Sequence, residues 1–276
     1  MFRFAICNEL YRDWPFDRAF AHARNCGYEG VEIAPHTLGE GQLKFATSRI
    51  DEVRRAAESH GLTVVGLHWL LAQTKDLHWT SDDATVRANT AEYFKRLIDL
   101  CAMLQGSLLV LGSPKQRSLP QEMSLQRGLD NAAFVIEMLL PRLAEHRITL
   151  AVEPLGPDET NFLNTADQVR DFVRMFESPW LRLQLDVKAM CTEPNPIPSI
   201  IAAHRDLLTH FHANDPNRRG PGMGDRDFVP ILRSLIEAEY RGWISVEVFD
   251  ETPGIDALAG ESIRNLRRDY CKAIAL

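Results

Sequence analysis

Apolar positions along this chain fall into two alternating patterns. Short runs that are apolar almost without interruption, rich in Val, Ile and Leu, occupy 2–9, 30–35, 63–70, 107–113, 148–155, 181–187, 208–214 and 243–250. A strand buried on both faces reads this way, because neither face needs polar residues. Between the runs lie longer stretches with apolar residues at helical spacing: FDRAFAHARNCG, SRIDEVRRAAESHG, VRANTAEYFKRLIDLCAMLQG, NAAFVIEMLLPRLAEH, TADQVRDFVRMFES, PSIIAAHRDLL, FVPILRSLIEAEYRG and ESIRNLRRDYCKAI. Several stop at glycine, and Thr165 stands where an N-cap would open the fifth. Strand and helix alternate eight times. That order predicts right-handed crossovers, a parallel sheet and, for eight units in about 250 residues, an α/β fold of the (β/α)8 TIM barrel type. A doubly wound sheet would carry a Gly-rich turn after its first strand, where this chain has Asn8-Glu9-Leu10. With no linker or low-complexity tract, residues 1–276 read as a single domain.

Composition narrows the picture only a little. The 45% hydrophobic content suits a globular protein with a sizeable core. A net charge of −7 and the lack of a long basic run argue against a nucleic-acid surface. Five scattered cysteines without a CxxC pair fit neither a disulfide framework nor a zinc ribbon, and suit a reducing compartment. The N-terminus lacks the features of a signal peptide, and no apolar run is long enough for a membrane span. The expected setting is the cytoplasm.

A barrel of this type places its chemistry at the C-terminal ends of the strands. Four runs deliver acidic or imidazole groups there: AVEP with Glu153, LQLD with Asp186, HFHAND with His212 and SVEV with Glu247. Alternate strand residues share a face, so each of the four, flanked by apolar neighbours, is expected to point at the barrel axis. Three converging carboxylates repel unless some protonate or a cation joins them. Three oxygens and one nitrogen suit a divalent metal, Mn²⁺, Mg²⁺, Co²⁺ or Zn²⁺. His210, two residues before His212, is expected one layer deeper as a hydrogen-bonded core group. Other strand ends offer weaker hints: Glu32 and His36, then His68 and Trp69 with the chemistry to meet a sugar, then Lys115 and Arg117 for a carboxylate, phosphate or distant hydroxyl. The bent, Gly-rich loop PNRRGPGMG follows a His strand and not a strand–turn–helix, which sets it apart from a dinucleotide turn.

On these residues the chain resembles the xylose isomerase-like TIM barrels, and within them the metal-dependent ketose 3-epimerases of the tagatose and allulose type. The intervals from Glu153 to Asp186, to His212 and to Glu247 are 33, 26 and 35 residues, which match the ligand spacing of those epimerases. The resemblance runs from the first strand to the last helix. It implies that Glu153, Asp186, His212 and Glu247 bind the metal, with Mn²⁺ first in order, and that Glu153 and Glu247 double as the acid/base pair. It also implies substrate contacts from Arg218, six residues after His212, and a supporting role for Glu159, six after Glu153. One position departs: the family's histidine three residues after the aspartate is Ala189 here. Lys188, two after Asp186 and so read as lying on the same strand face, is the expected substitute. The implied chemistry is epimerisation or isomerisation of a ketose or keto-sugar through a cis-enediolate. The alternative is a lyase using the same intermediate, a ketocyclitol dehydratase or a 3-keto-glycoside β-eliminase. The apurinic endonucleases share the barrel, but the single metal site and the acidic charge count against that class. No nucleic-acid or membrane partner is expected, and barrels of this kind are often homodimers or tetramers.

Overall fold

The eight apolar runs become eight strands: β1 (Arg3–Cys7), β2 (Gly30–Ile33), β3 (Thr63–Leu67), β4 (Leu108–Leu111), β5 (Thr149–Val152), β6 (Leu181–Asp186), β7 (Leu208–Ala213) and β8 (Trp243–Val246). They are shorter than the runs because the polar residues at the C-terminal ends leave the ladder and enter the loops. The computed structural model describes residues 2–39 and 46–275. Every strand pairs in parallel with its sequence neighbours, and β8 pairs with β1, so the sheet closes into a (β/α)8 barrel.

Around it lie the helices α1 (Phe16–Cys26), α2 (Thr47–His60), α3 (Ala84–Met103), α4 (Leu125–His146), α5 (Ala166–Arg174), α6 (Val187–Met190), α7 (Ile197–Ala203), α8 (Val229–Glu237) and α9 (Ile255–Ala275). Eight were expected; α6 is the addition. It is a single turn, too short to leave a helical period in the sequence, and Asp186 caps it. α4 starts earlier than its apolar pattern because the Ser124 side chain accepts the Arg127 N–H. Thr165 and Gln168 form a reciprocal capping box at α5.

The strands' two faces do different work. Outward residues such as Phe4, Ile33, Leu109, Leu183 and Phe211 join the core shared with the helices. Inside the barrel a small apolar cluster of Ala5, Val65, Leu108, Val110 and Ala151 fills the lower part, with Trp243 against it. Above it the lining turns polar, with buried Glu32, Gln184, His210 and Ser245. A register shift between Leu183 and Gln184 sets Gln184 opposite His210 and Asp186 opposite His212. That shift puts two of the expected metal ligands directly opposite each other on adjacent strands. Among the described residues no helix is long and apolar enough to cross a membrane.

Candidate active site

The structure brings Glu153, Asp186, His212 and Glu247 together at the barrel mouth. Each offers one ligand atom, all lying within 4.8 Å of one another, and all four side chains are buried. Each comes from the end of a different strand, β5 to β8. Gly112, just past β4, leaves the space that Glu153 needs, since a Cβ there would lie 2.3 Å from its Oε2.

Asp186, His212 and Glu247 are each held by a hydrogen bond from outside the quartet. Asp186 Oδ1 accepts the Ala189 N–H at 2.8 Å, and its Oδ2 accepts the Asn214 amide at 2.5 Å. Ala189, where the resemblance puts a histidine, contributes instead the backbone N–H that Asp186 caps at the start of α6. His212 donates from Nε2 to Glu32 at 3.2 Å, and Glu32 also holds His210 at 2.6 Å. With Nε2 kept on a carboxylate, Nδ1 is the nitrogen left for a metal. It stands 3.1 Å from Glu247 Oε2, while Glu247 Oε1 accepts the Trp69 indole N–H at 2.7 Å.

The electrostatics follow from this crowding. Burial pushes the Glu153 carboxyl well above the usual range, and the nearby Glu247 and Asp186 push it further. Burial alone would raise Glu247 as well, but His212, His68 and the Trp69 hydrogen bond outweigh it and hold Glu247 below the usual range. Burial likewise opposes charge on His212, yet Glu247 and Glu32 override it and raise the imidazole well above its ordinary value. His210 goes the other way, because burial there outweighs Glu32. Three oxygens and one imidazole nitrogen around one point, with a carboxylate left uncomfortable by its neighbours, are a donor set that fits a divalent cation.

Over the quartet opens a cavity of about 440 Å³, lined among others by His68, Lys115, Glu159, Lys188, Arg218 and Phe249. Lys188 reaches it from α6 and not from the strand face that was expected, since β6 ends at Asp186. Its ammonium donates to Glu159 at 2.6 Å. Of the two loop arginines, Arg218 lines the cavity with its guanidinium over Phe249, while Arg219 pairs with Asp250 at 2.9 Å. The loop is tied by buried Asp215, whose Oδ2 accepts the N–H groups of Gly222 and Gly224. A Cβ at Gly224 would strike that carboxylate, and Gly222 has φ +71°, so the glycines belong to the bend.

Arg117 is not brought to the cavity. It is fully buried and donates to the carbonyls of Leu111 and Glu153 at 2.7 and 2.8 Å, joining the ends of β4 and β5 from outside the site. His68 lines the cavity but is itself buried, with Nε2 bonded to Glu9 at 2.6 Å. Trp69 stacks between His36 and Phe249 and has φ +52°, a backbone conformation that a bulky residue rarely adopts. Sequence reasoning did not reach Glu9, Asn214 or Phe249. Each was a single polar or aromatic residue without a spacing template; the only signal was a polar residue at the C-terminal end of an apolar run.

The model of the xylose isomerase-like TIM barrel matches residues 20–269. The chain belongs to this family. Its relatives within the xylose isomerase-like barrels include sugar epimerases. The chain is 25% identical to D-psicose 3-epimerase of Agrobacterium fabrum over 264 residues, 90% of this chain and 88% of that one. It is 27% identical to L-ribulose 3-epimerase of a Methylomonas species over 241 residues, 84% of this chain and 78% of that one. In structure it is similar to 3-keto-D-glucoside 4-epimerase of E. coli, with a TM-score of 0.85 at 20% identity over 97% of this chain and all of that one.

Proposed function

We propose that this protein is a divalent-metal-dependent sugar epimerase or isomerase acting on a ketose or keto-sugar. The observation that carries this is the buried quartet of Glu153, Asp186, His212 and Glu247 beneath a cavity of sugar-binding size. Those four residues would hold the ion, Mn²⁺ first in order. When bound, it supplies Lewis-acid polarisation of a carbonyl, which acidifies the neighbouring C–H.

The chain's own groups do the rest. Glu153 and Glu247 stand on strands three places apart around the barrel, so they address a bound sugar from different sides. One removes the proton beside the carbonyl to leave a cis-enediolate. The other returns a proton to the opposite face for epimerisation, or to the adjacent carbon for isomerisation. Set by protein groups alone, Glu153 is pushed towards the acid form and Glu247 towards the base form, the divergence such a pair needs. Arg218 and Lys188 offer cationic donors to substrate oxygens, and Lys115 does so at the rim. Phe249 and Trp69, stacked on each other, give the cavity an aromatic wall. The named activities of the D-psicose and L-ribulose relatives favour 3-epimerisation of a ketose.

A second reading uses the same intermediate. Lys188, ion-paired with Glu159 inside the cavity, could protonate a departing oxygen β to the carbonyl, which would make the enzyme a lyase on a ketocyclitol or 3-keto-glycoside. One experiment separates the two. Mn²⁺-loaded protein in D₂O is incubated with ketoses, ketocyclitols and 3-keto-glycosides and followed by NMR. Deuterium should enter beside the carbonyl, and the rate should fall roughly 10²–10⁴-fold in Glu153→Gln and Glu247→Gln. An epimer supports the first reading and an alkene the second. No exchange from protein shown to hold metal would overturn both.

A further inference from the structure

The barrel mouth holds a second group of side chains of metal-ligating type, three of which the proposed reaction does not use. Cys7 ends β1, Glu9 follows two positions on, and His68 follows β3. The β1–β8 ladder pairs Ile6 with Val246, so the next step along both strands brings Cys7 beside Glu247. Cys7, Glu9, His68 and Glu247 each offer a ligand atom within 4.8 Å of the others, and all four residues are buried. Two buried atoms in this group have no hydrogen-bond partner: Oε1 of Glu9 and Nδ1 of His68. The remaining oxygen of Glu9 and nitrogen of His68 bond each other at 2.6 Å. That bond fixes both side chains and leaves one donor atom free on each.

Charge points the same way. Glu9, Glu32, Glu153, Asp186 and Glu247 are five buried carboxylates at one end of the barrel. Against them stand buried Arg117, Lys188, which already answers Glu159, and, on the cavity wall, Arg218 and Lys115. One divalent ion in the first site offsets only two of these five buried charges.

We propose that Cys7, Glu9 and His68, with Glu247 shared, form a second cation site beside the first, selective for a borderline metal such as Zn²⁺, Co²⁺ or Fe²⁺ over Mg²⁺ or Mn²⁺. One sulfur, one imidazole nitrogen and two carboxylate oxygens are a four-coordinate set of the kind zinc takes, and a thiolate discriminates against hard cations. On binding, the Cys7 S–H bond breaks, the sulfur electron pair forms the metal bond, and the proton leaves to solvent. His68 binds through Nδ1 and Glu9 through Oε1, and their mutual hydrogen bond is kept. The inference rests on the metal reading above only through the shared Glu247.

The test uses the full chain, stripped with a chelator and reloaded with Co²⁺ under a non-thiol reductant. Two Co²⁺ should bind per chain, with a near-ultraviolet thiolate-to-cobalt charge-transfer band, whereas Mg²⁺ or Mn²⁺ should fill one site only. Cys7→Ser should abolish the band and lower the cobalt stoichiometry to one, and Glu9→Gln should weaken the second equivalent. Asp186→Asn, which damages the first site, should leave the band in place. One Co²⁺ without a band, or a band that survives in Cys7→Ser, overturns the inference and leaves the first site standing. No cobalt bound at all overturns both. If Cys7→Ser does not fold, the wild-type stoichiometry and spectrum decide alone.

Discussion

At Gly112 the site depends on the absence of a side chain. Any Cβ there would occupy the seat of the Glu153 carboxylate. Gly112→Ala should therefore displace a ligand from a barrel that still folds, with metal affinity falling about 10–100-fold, the usual effect of disturbing a ligand's support. Calorimetric titration with Mn²⁺ checks it, and unchanged affinity would remove Glu153 from the ligand set. Glu32 acts from further back. It holds His210 and His212 at once, and both histidines outweigh burial to keep it ionised well below the usual range. Glu32→Gln keeps the shape but loses the charge that orients His212. A loss of metal affinity of the same order, about 10–100-fold, is expected. If binding stays tight, His212 is aligned by packing and not by Glu32.

Among the elements, the ends of β4 and β5 are joined by a cation that does not line the cavity. Arg117 lies under the loop with Trp79 beside its guanidinium, and burial brings it down only to about 10, so it stays charged at neutral pH. Its two hydrogen bonds hold the carbonyls of Leu111 and Glu153. Arg117→Met should cost about 3 kcal/mol through those charge-assisted bonds and lower the melting temperature by on the order of 5–10 °C. A variant that melts normally but loses substrate affinity would return Arg117 to the sugar. The sequence could not place its side chain: a basic residue after a barrel strand reads as a ligand contact, and nothing in PKQR tells which side of the loop it folds to. The eight strands were legible because burial on both faces removes polar residues from them. The quartet was legible because four acidic or imidazole groups ended four consecutive runs. The bracing residues Glu9 and Asn214 were not, since Glu9 acts through one hydrogen bond to His68 and Asn214 through two at the neighbouring strand end, and neither leaves a periodic trace. Lys188 was placed in the cavity by a wrong route, because a one-turn helix replaced the strand extension that its spacing suggested.

For the molecule as a whole, strand order divides the mouth in two. β5 to β8 carry the quartet, while β1, β2 and β3 carry Cys7, Glu32 and His68 at or beside their ends. Because the first set ties four strand ends to one point, metal occupancy should register in global stability. An ion at a hundred times its dissociation constant adds about 2.7 kcal/mol. Chelation should abolish activity and lower the melting temperature, and Mn²⁺ should restore both. A melting curve indifferent to chelator would mean that no ion links these strands in the folded protein. The molecule also carries its own optical reporter. Of its five tryptophans, Trp14, Trp79, Trp180 and Trp243 are not among the cavity-lining residues, and Trp69 is. Its indole N–H is bonded to Glu247 and its ring is stacked on Phe249. Emission that changes when metal or sugar is added therefore comes from the one fluorophore in direct contact with the site, and a Trp69→Phe protein should be optically silent to both.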